Sequence, residues 1–223
     1  MQNWTVKSSS ARLVGMKSNR RLPKPKIMTP RGAATRARIV EAAADLVHAR
    51  GVSGTSLDQI MEAGNVSKSQ LYHYFADKDA LMLAVIEFQT SRVVGFQATY
   101  LDRVVSLAGL RDWRDAAVAM TRATNGWGGC PIGSLASELS DRSESARTLL
   151  ARGFERWVAK LSEGLQTMRA RGEIRSDADC DELATAVIAA LQGGILLAQA
   201  SRATRPLELA LDMAIAHIAR AAA

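Results

Sequence analysis

Residues 60–81 read IMEAGNVSKSQLYHYFADKDAL, and the reading of this stretch decides the fold. Gly64 and Asn65 both tolerate a left-handed backbone, which a sharp turn between two helices needs. Upstream, Ser56 and Gln59 have the spacing of a capping box, and Leu57, Ile60 and Met61 give that helix an apolar side. Downstream, Ser67 and Gln70 repeat the box and open a second helix with Leu71 and Phe75 as its inward stripe. Lys68, Ser69, Tyr72 and His73 face outward and all can hydrogen-bond, while Tyr74 sits at the edge of the stripe. Two short helices joined by a tight turn, the second with an outward polar and aromatic face, make a helix-turn-helix over about residues 56–75. The major groove of duplex DNA accepts one α-helix, and side chains on its first turns reach the base edges. Lys, Ser, Gln, Tyr and His are short or planar donors and acceptors suited to that task. Periodicity by itself also fits a plain helical hairpin with a solvated face.

The helical pattern continues on both sides. Ile39, Ala42, Ala43, Leu46 and Val47 form one face of a helix that starts near Thr35 and ends at Gly51. After Asp79, the residues Leu81, Ala84, Val85, Phe88, Gly95, Phe96 and Thr99 hold one stripe to about Leu107, with Arg92 as its polar exception. A break at Ala108-Gly109 precedes a helix near residues 110–124, and Asn125 to Cys130 form a turn. Pro131 opens a helix to about Leu139, and Ser143 with Glu144 opens a long one ending at Arg171-Gly172. Asp179 or Asp177 caps the next, to about Ala200, and the last begins near Pro206. The expected fold is all-α, with about nine helices. Composition agrees: with 48% hydrophobic and 23% charged residues, 5% aromatics and five prolines, the 223-residue chain favours helix over sheet and is not wholly disordered.

Two cysteines exclude a disulfide framework. No run reaches the roughly 18 uninterrupted apolar residues of a membrane span, since Leu183 to Ala200 is broken by Thr185, Gln192, Gly193, Gly194 and Gln199. A cytoplasmic protein with no membrane partner is expected. The net charge of +7 is unevenly placed. Residues 1–31 hold eight basic side chains and no acid, residues 32–80 are net −1, and residues 81–223 are net zero. Residues 1–31 read as a basic disordered arm, extended around Pro23-Lys24-Pro25 and without the apolar core of a secretory signal. Affinity for DNA comes largely from cations meeting phosphates, and the helix-turn-helix region has few. The arm therefore reads either as a contributor to that affinity or as a solvated tail, with Met16 and Met28 as internal start candidates.

The same residues carry a family resemblance. Val66-Ser67-Lys68, Leu71-Tyr72-His73-Tyr74-Phe75 and Asp77-Lys78-Asp79-Ala80-Leu81, at this mutual spacing and behind the helix from Thr35 to Ala43, resemble the DNA-binding segment of the tetracycline-repressor (TetR) family over about residues 33–93. The resemblance implies a homodimeric all-helical transcription regulator, usually a repressor, released from double-stranded operator DNA by a small-molecule effector. It implies an arm over residues 1–31, a DNA-binding domain over 32–92 and an effector-binding and dimerisation domain over 93–223. By position it puts Ser67, Lys68, Ser69, Gln70, Tyr72, His73 and Tyr74 at the DNA, and Thr55, Lys78 and Arg36 at phosphates. Asn65, Ser69 and Gln70 depart from the family's usual small residues, which bears on the operator sequence.

Gly129 to Ala136 and Leu191 to Leu196 resemble segments in a subset of TetR-type C-terminal domains, which implies an effector cavity. Its candidate lining is Phe96, Met120, Trp127, Phe154, Trp157 and Gln192, although aromatics and Met at helical spacing also serve as plain core. Ala184, Val187, Ile188, Leu191 and Ile195 line one side of the penultimate helix, and Leu207, Ala210, Leu211, Ala214 and Ile218 one side of the last. These faces read as the four-helix dimer interface that the resemblance implies, because a helix-turn-helix typically reads two half-sites, with an intrachain core as the alternative. Cys130 lies beside a helix N-terminus, where a thiolate is favoured, and is a candidate redox or electrophile sensor. His48, His73 and His217 lack ligand spacing, so neither a metal nor a cofactor is expected. No catalytic arrangement is recognisable, and the protein is not expected to be an enzyme. Two other classes fit less of the chain: a helical small-molecule-binding enzyme with a vestigial DNA-binding segment, and a regulator controlled by a protein partner.

Overall fold

A computed structural model describes residues 28–221, so the basic arm lies outside the described residues except for Met28 to Arg31. Those residues already enter a helix. Helix α1 spans Pro30–Arg50, earlier than its apolar stripe alone suggests, because Thr29 caps it. The Thr29 hydroxyl accepts the Gly32 N–H at 3.2 Å, and Pro30 supplies a pre-set helical φ. Helices α2 (Leu57–Ala63) and α3 (Lys68–Tyr74) each start on a reciprocal capping box. In the second, the Ser67 N–H donates to Gln70 Oε1 at 2.9 Å and the Gln70 N–H to Ser67 Oγ at 3.2 Å. The left-handed residue of the turn is Asn65, at φ 46°, while Gly64 stays right-handed. Arg38 Nε reaches from α1 to the Gly64 carbonyl at 2.8 Å and satisfies the end of α2.

Helix α4 spans Lys78–Leu101 and links the three-helix head to the remaining five helices: α5 (Leu107–Ala123), α6 (Pro131–Leu139), α7 (Glu144–Ala170), α8 (Cys180–Ser201) and α9 (Arg205–Arg220). Nine helices and no β-sheet occur among the described residues. The break after α4 falls at Asp102 to Ser106, not at Ala108-Gly109. Ser106 caps α5 by accepting the Gly109 N–H at 3.1 Å, so Gly109 belongs to the first helical turn. Its lack of a side chain lets the Arg103 carbonyl pass, which would lie 2.3 Å from a Cβ there. Inside this body the Trp113 indole donates to Gln97 Oε1 at 2.8 Å, and both side chains are buried.

The α8–α9 pair resolves the two readings of its apolar faces. Ala184, Val187, Ile188, Leu191, Leu207, Leu211, Ala214 and Ile218 are buried within one chain. The helices approach closely enough that a Cβ on Gly194 would meet Leu207 Cα at 2.8 Å. These faces are intrachain core. The exposed large apolar side chains of the pair are others: Leu196, Leu197, Leu209 and Met213, each more than half exposed. Helix α8 is also long and apolar enough to cross a membrane by length and composition, and here it packs on both α7 and α9.

Gly164 of α7 rides on the α4–α5 corner, where a Cβ would sit 2.1 Å from the Val104 carbonyl oxygen. In an open helix Gly→Ala stabilises by about 0.8–1 kcal/mol. Gly164→Ala is instead expected to destabilise by roughly 1–3 kcal/mol, because backbone cannot yield as a flexible side chain does. Equilibrium urea unfolding checks the sign; a gain in stability would show that the corner relaxes freely.

Candidate nucleic-acid interface and effector cavity

Burial of Leu71 and Phe75, 0% and 3% exposed, fixes which side of α3 faces out. Lys68, Ser69, Gln70, Tyr72 and His73 are all exposed, Tyr72 to 46%. Tyr74 is half-buried, with its ring edge-on to His73 at 4.9 Å. Its hydroxyl lies against α1, 3.4 Å from where a Gly32 Cβ would be. Ser67 Oγ and Gln70 Oε1 are engaged in the capping box, which leaves the Gln70 NH2 group as the part able to reach a base.

Two residues that the resemblance puts at phosphates also hold the α1–α2 turn. Thr55 is 1% exposed and its hydroxyl donates to the Gly51 carbonyl at 2.8 Å. The Lys78 ammonium donates to the carbonyls of Val52 at 2.8 Å and Thr55 at 2.6 Å. Both residues donate to carbonyls of the α1–α2 turn. Arg36 is half-buried, with its guanidinium 5.1 Å over the Phe75 ring beside the end of α3. The same turn is held from the other side by Glu138 of α6, whose carboxylate accepts the Val52 N–H at 2.8 Å. Glu138 lies far along the chain from Val52, so no local spacing points to it.

The body holds a half-open cavity of about 420 Å³, within the usual range for small-molecule sites. Phe96 of α4, Met120 of α5, Trp127 of the α5–α6 turn, Cys130 at the start of α6 and Trp157 of α7 come together in its wall. Phe154 and Gln192 do not join them; they line an adjacent groove that shares Cys130. Sequence reasoning missed the polar part of the wall, which is His48 of α1 with Gln89, Arg92 and Gln97 of α4. A signal was available: Arg92 is the polar exception on an apolar stripe, and Gln89 lies one turn before it. Burial, then the neighbouring Arg92 charge, lower the His48 pKa against the opposing pull of Asp45. Burial pushes the Cys130 thiol up, against hydrogen bonds from the Gly133 backbone, the Gln192 side chain and the Ile132 backbone. The thiol is therefore held protonated, which works against the thiolate that its place beside α6 suggests.

A compact three-helix head with a polar recognition face, tied through one long helix to a helical body with a half-open cavity, defines a ligand-binding class of DNA-reading regulators. The family model described as bacterial regulatory proteins, tetR family, matches residues 39–85, and that of the tetracyclin repressor-like C-terminal domain matches residues 106–214. The chain is 32% identical to the HTH-type transcriptional repressor DhaR of Mycobacterium sp. strain GP1, over 78% of this chain and 86% of that protein. It is 31% identical to the transcriptional regulator AcuR of Cereibacter sphaeroides, over 82% of this chain and 87% of that one. Among solved structures, a TetR transcriptional regulator from Chloroflexus aurantiacus J-10-FL superimposes with a TM-score of 0.72 at 30% identity, covering 87% of this chain and 98% of its own. This chain belongs to the TetR family and is a DNA-binding transcriptional regulator.

The double duty of Gln70 gives a clean separation of folding from DNA reading. Gln70→Glu keeps an acceptor for the Ser67 N–H, and so keeps the cap, but replaces the free NH2 donor by a negative charge. The variant is expected to unfold within about 1 kcal/mol of the parent, the typical worth of a cap. Its affinity for DNA fragments selected from a random pool is expected to fall at least about ten-fold, the scale of one lost base contact. Fluorescence anisotropy measures this; unchanged affinity would take the first turn of α3 off the DNA.

Proposed function

We propose that this chain is a homodimeric repressor released from its operator by a small molecule bound in the α4–α7 cavity. Lys68, Ser69, Gln70, Tyr72 and His73 read the major groove, and Arg36 meets a flanking phosphate. A helix-turn-helix usually reads two half-sites about 34–36 Å apart, which calls for two copies related by a twofold axis. The exposed Leu196, Leu197, Leu209 and Met213 of α8 and α9 are the apolar patch that a second copy covers. DhaR, named a transcriptional repressor, supports the sign of regulation.

One observation carries the ligand response. Helix α6 begins at Cys130 and Pro131 in the cavity wall, and near its other end Glu138 holds the Val52 N–H of the α1–α2 turn. A ligand that displaces the start of α6 therefore moves the turn that carries α2 and α3. The ligand's leverage is the difference in its affinity for the two arrangements, typically about 1–3 kcal/mol.

Operator release, followed by anisotropy across a panel of small molecules, tests the reading. A compound that binds the cavity is expected to weaken operator binding at least about five-fold. Glu138→Leu, which has no acceptor for the Val52 N–H, is expected to bind the compound as before but to lose most of that release. No release by any cavity-binding compound would argue for constitutive regulation, and full release in Glu138→Leu would take α6 out of the coupling.

A further inference from the structure

Resting on the cavity being the effector site, we propose that the effector is a small organic anion, a monocarboxylate with a flat apolar body, its carboxylate held by Arg92 and His48. The charge of the wall has one sign. Arg92 lines the cavity and no Asp or Glu does. The acids nearby are already engaged: Asp45 pairs with Arg92 at 3.2 Å, and Glu138 is held by the α1–α2 turn. The Arg92–Asp45 pair uses one guanidinium nitrogen, and both side chains are more than half exposed, so the pair is weak and competes poorly with a bidentate ligand.

Among the described residues the cavity wall offers a cationic effector no carboxylate. The aromatic face best suited to a cation, the ring of Trp127, is covered by the Arg202 guanidinium at 3.7 Å. The lowered His48 pKa agrees, because burial and Arg92 both disfavour its cation, and a bound carboxylate reverses the second effect.

The wall also holds a hydrogen-bond donor. Trp157 lines the cavity at 2% exposure, and its indole Nε1 has no partner among the described residues. An indole N–H can only donate, so this buried group also asks for an acceptor. Phe96, Met120 and Ile195 supply the apolar walls for the body of the ligand.

Matched benzene and naphthalene series separate charge from shape: benzoate and 2-naphthoate, their primary amides, and the corresponding arylmethylamines. Each is titrated into the full-length protein by calorimetry and followed by the indole 15N–1H resonance of Trp157, assigned with Trp157→Phe. The carboxylates are expected to bind at least about ten-fold more tightly than the amides and to shift the Trp157 resonance, and the ammonium compounds to bind weakest. Arg92→Gln, with folding checked by circular dichroism, is expected to bring carboxylate affinity down to that of the amide and leave the amide unchanged. Amide binding equal to carboxylate, tighter ammonium binding, or a carboxylate preference that survives Arg92→Gln overturns the proposal and leaves the cavity reading intact. Failure of all three classes to bind or to move the Trp157 resonance overturns both.

Discussion

The burial of Leu71 and Phe75 beneath α3 is the constraint on which the rest depends. Both side chains sit in the same apolar cluster as Ile39 and Ile60 of the preceding helices. At helical spacing, two inward residues four apart leave only the opposite face for everything else on so short a helix. A seven-residue helix is also marginal by itself, since nucleation is unfavourable and few internal bonds repay it. The reciprocal bonds of Ser67 and Gln70 and the packing of Leu71 and Phe75 hold it, and Lys68, Tyr72 and His73 are presented as a consequence.

The head is not an independent bead on a string. The α1–α2 turn is gripped by Lys78 at the start of α4 and by Glu138 of α6, one supplying a donor and the other an acceptor. Buried Gln89 of α4 donates to the Ala44 carbonyl of α1 at 3.3 Å, and is itself part of the cavity wall. Polar contacts of this kind are directional, so they fix the position of the head on the body more sharply than apolar packing does. The head and the cavity therefore share a wall, made by α1, α4 and α6.

What the sequence made legible is what depends on close neighbours. Capping boxes at Ser56 and Ser67, the Pro131 start, the Ser143 cap and the Asp179 cap are all settled within three residues, and the structure has each of them. Errors came where a residue serves partners distant in sequence. The apolar faces of α8 and α9 read as a dimer interface, and packing shows that they meet each other within one chain. The end of α4 was misplaced because Gly109 reads as a breaker, whereas here it lets the Arg103 carbonyl pass inside a helical turn. In the cavity, the large apolar members were legible from residue type. Arg92 and Gln89 were visible as irregularities on a stripe, and their meaning required His48 to arrive from another helix.

The most direct measurement is methylation protection at guanine N7, which opens only into the major groove. With the full-length protein on its best selected site, protection is expected in two symmetric patches separated by about 34–36 Å along one face of the duplex. A complex that forms stably but leaves every guanine N7 reactive, or shields only minor-groove positions, would contradict an α3 seated in the major groove by the burial of Leu71 and Phe75.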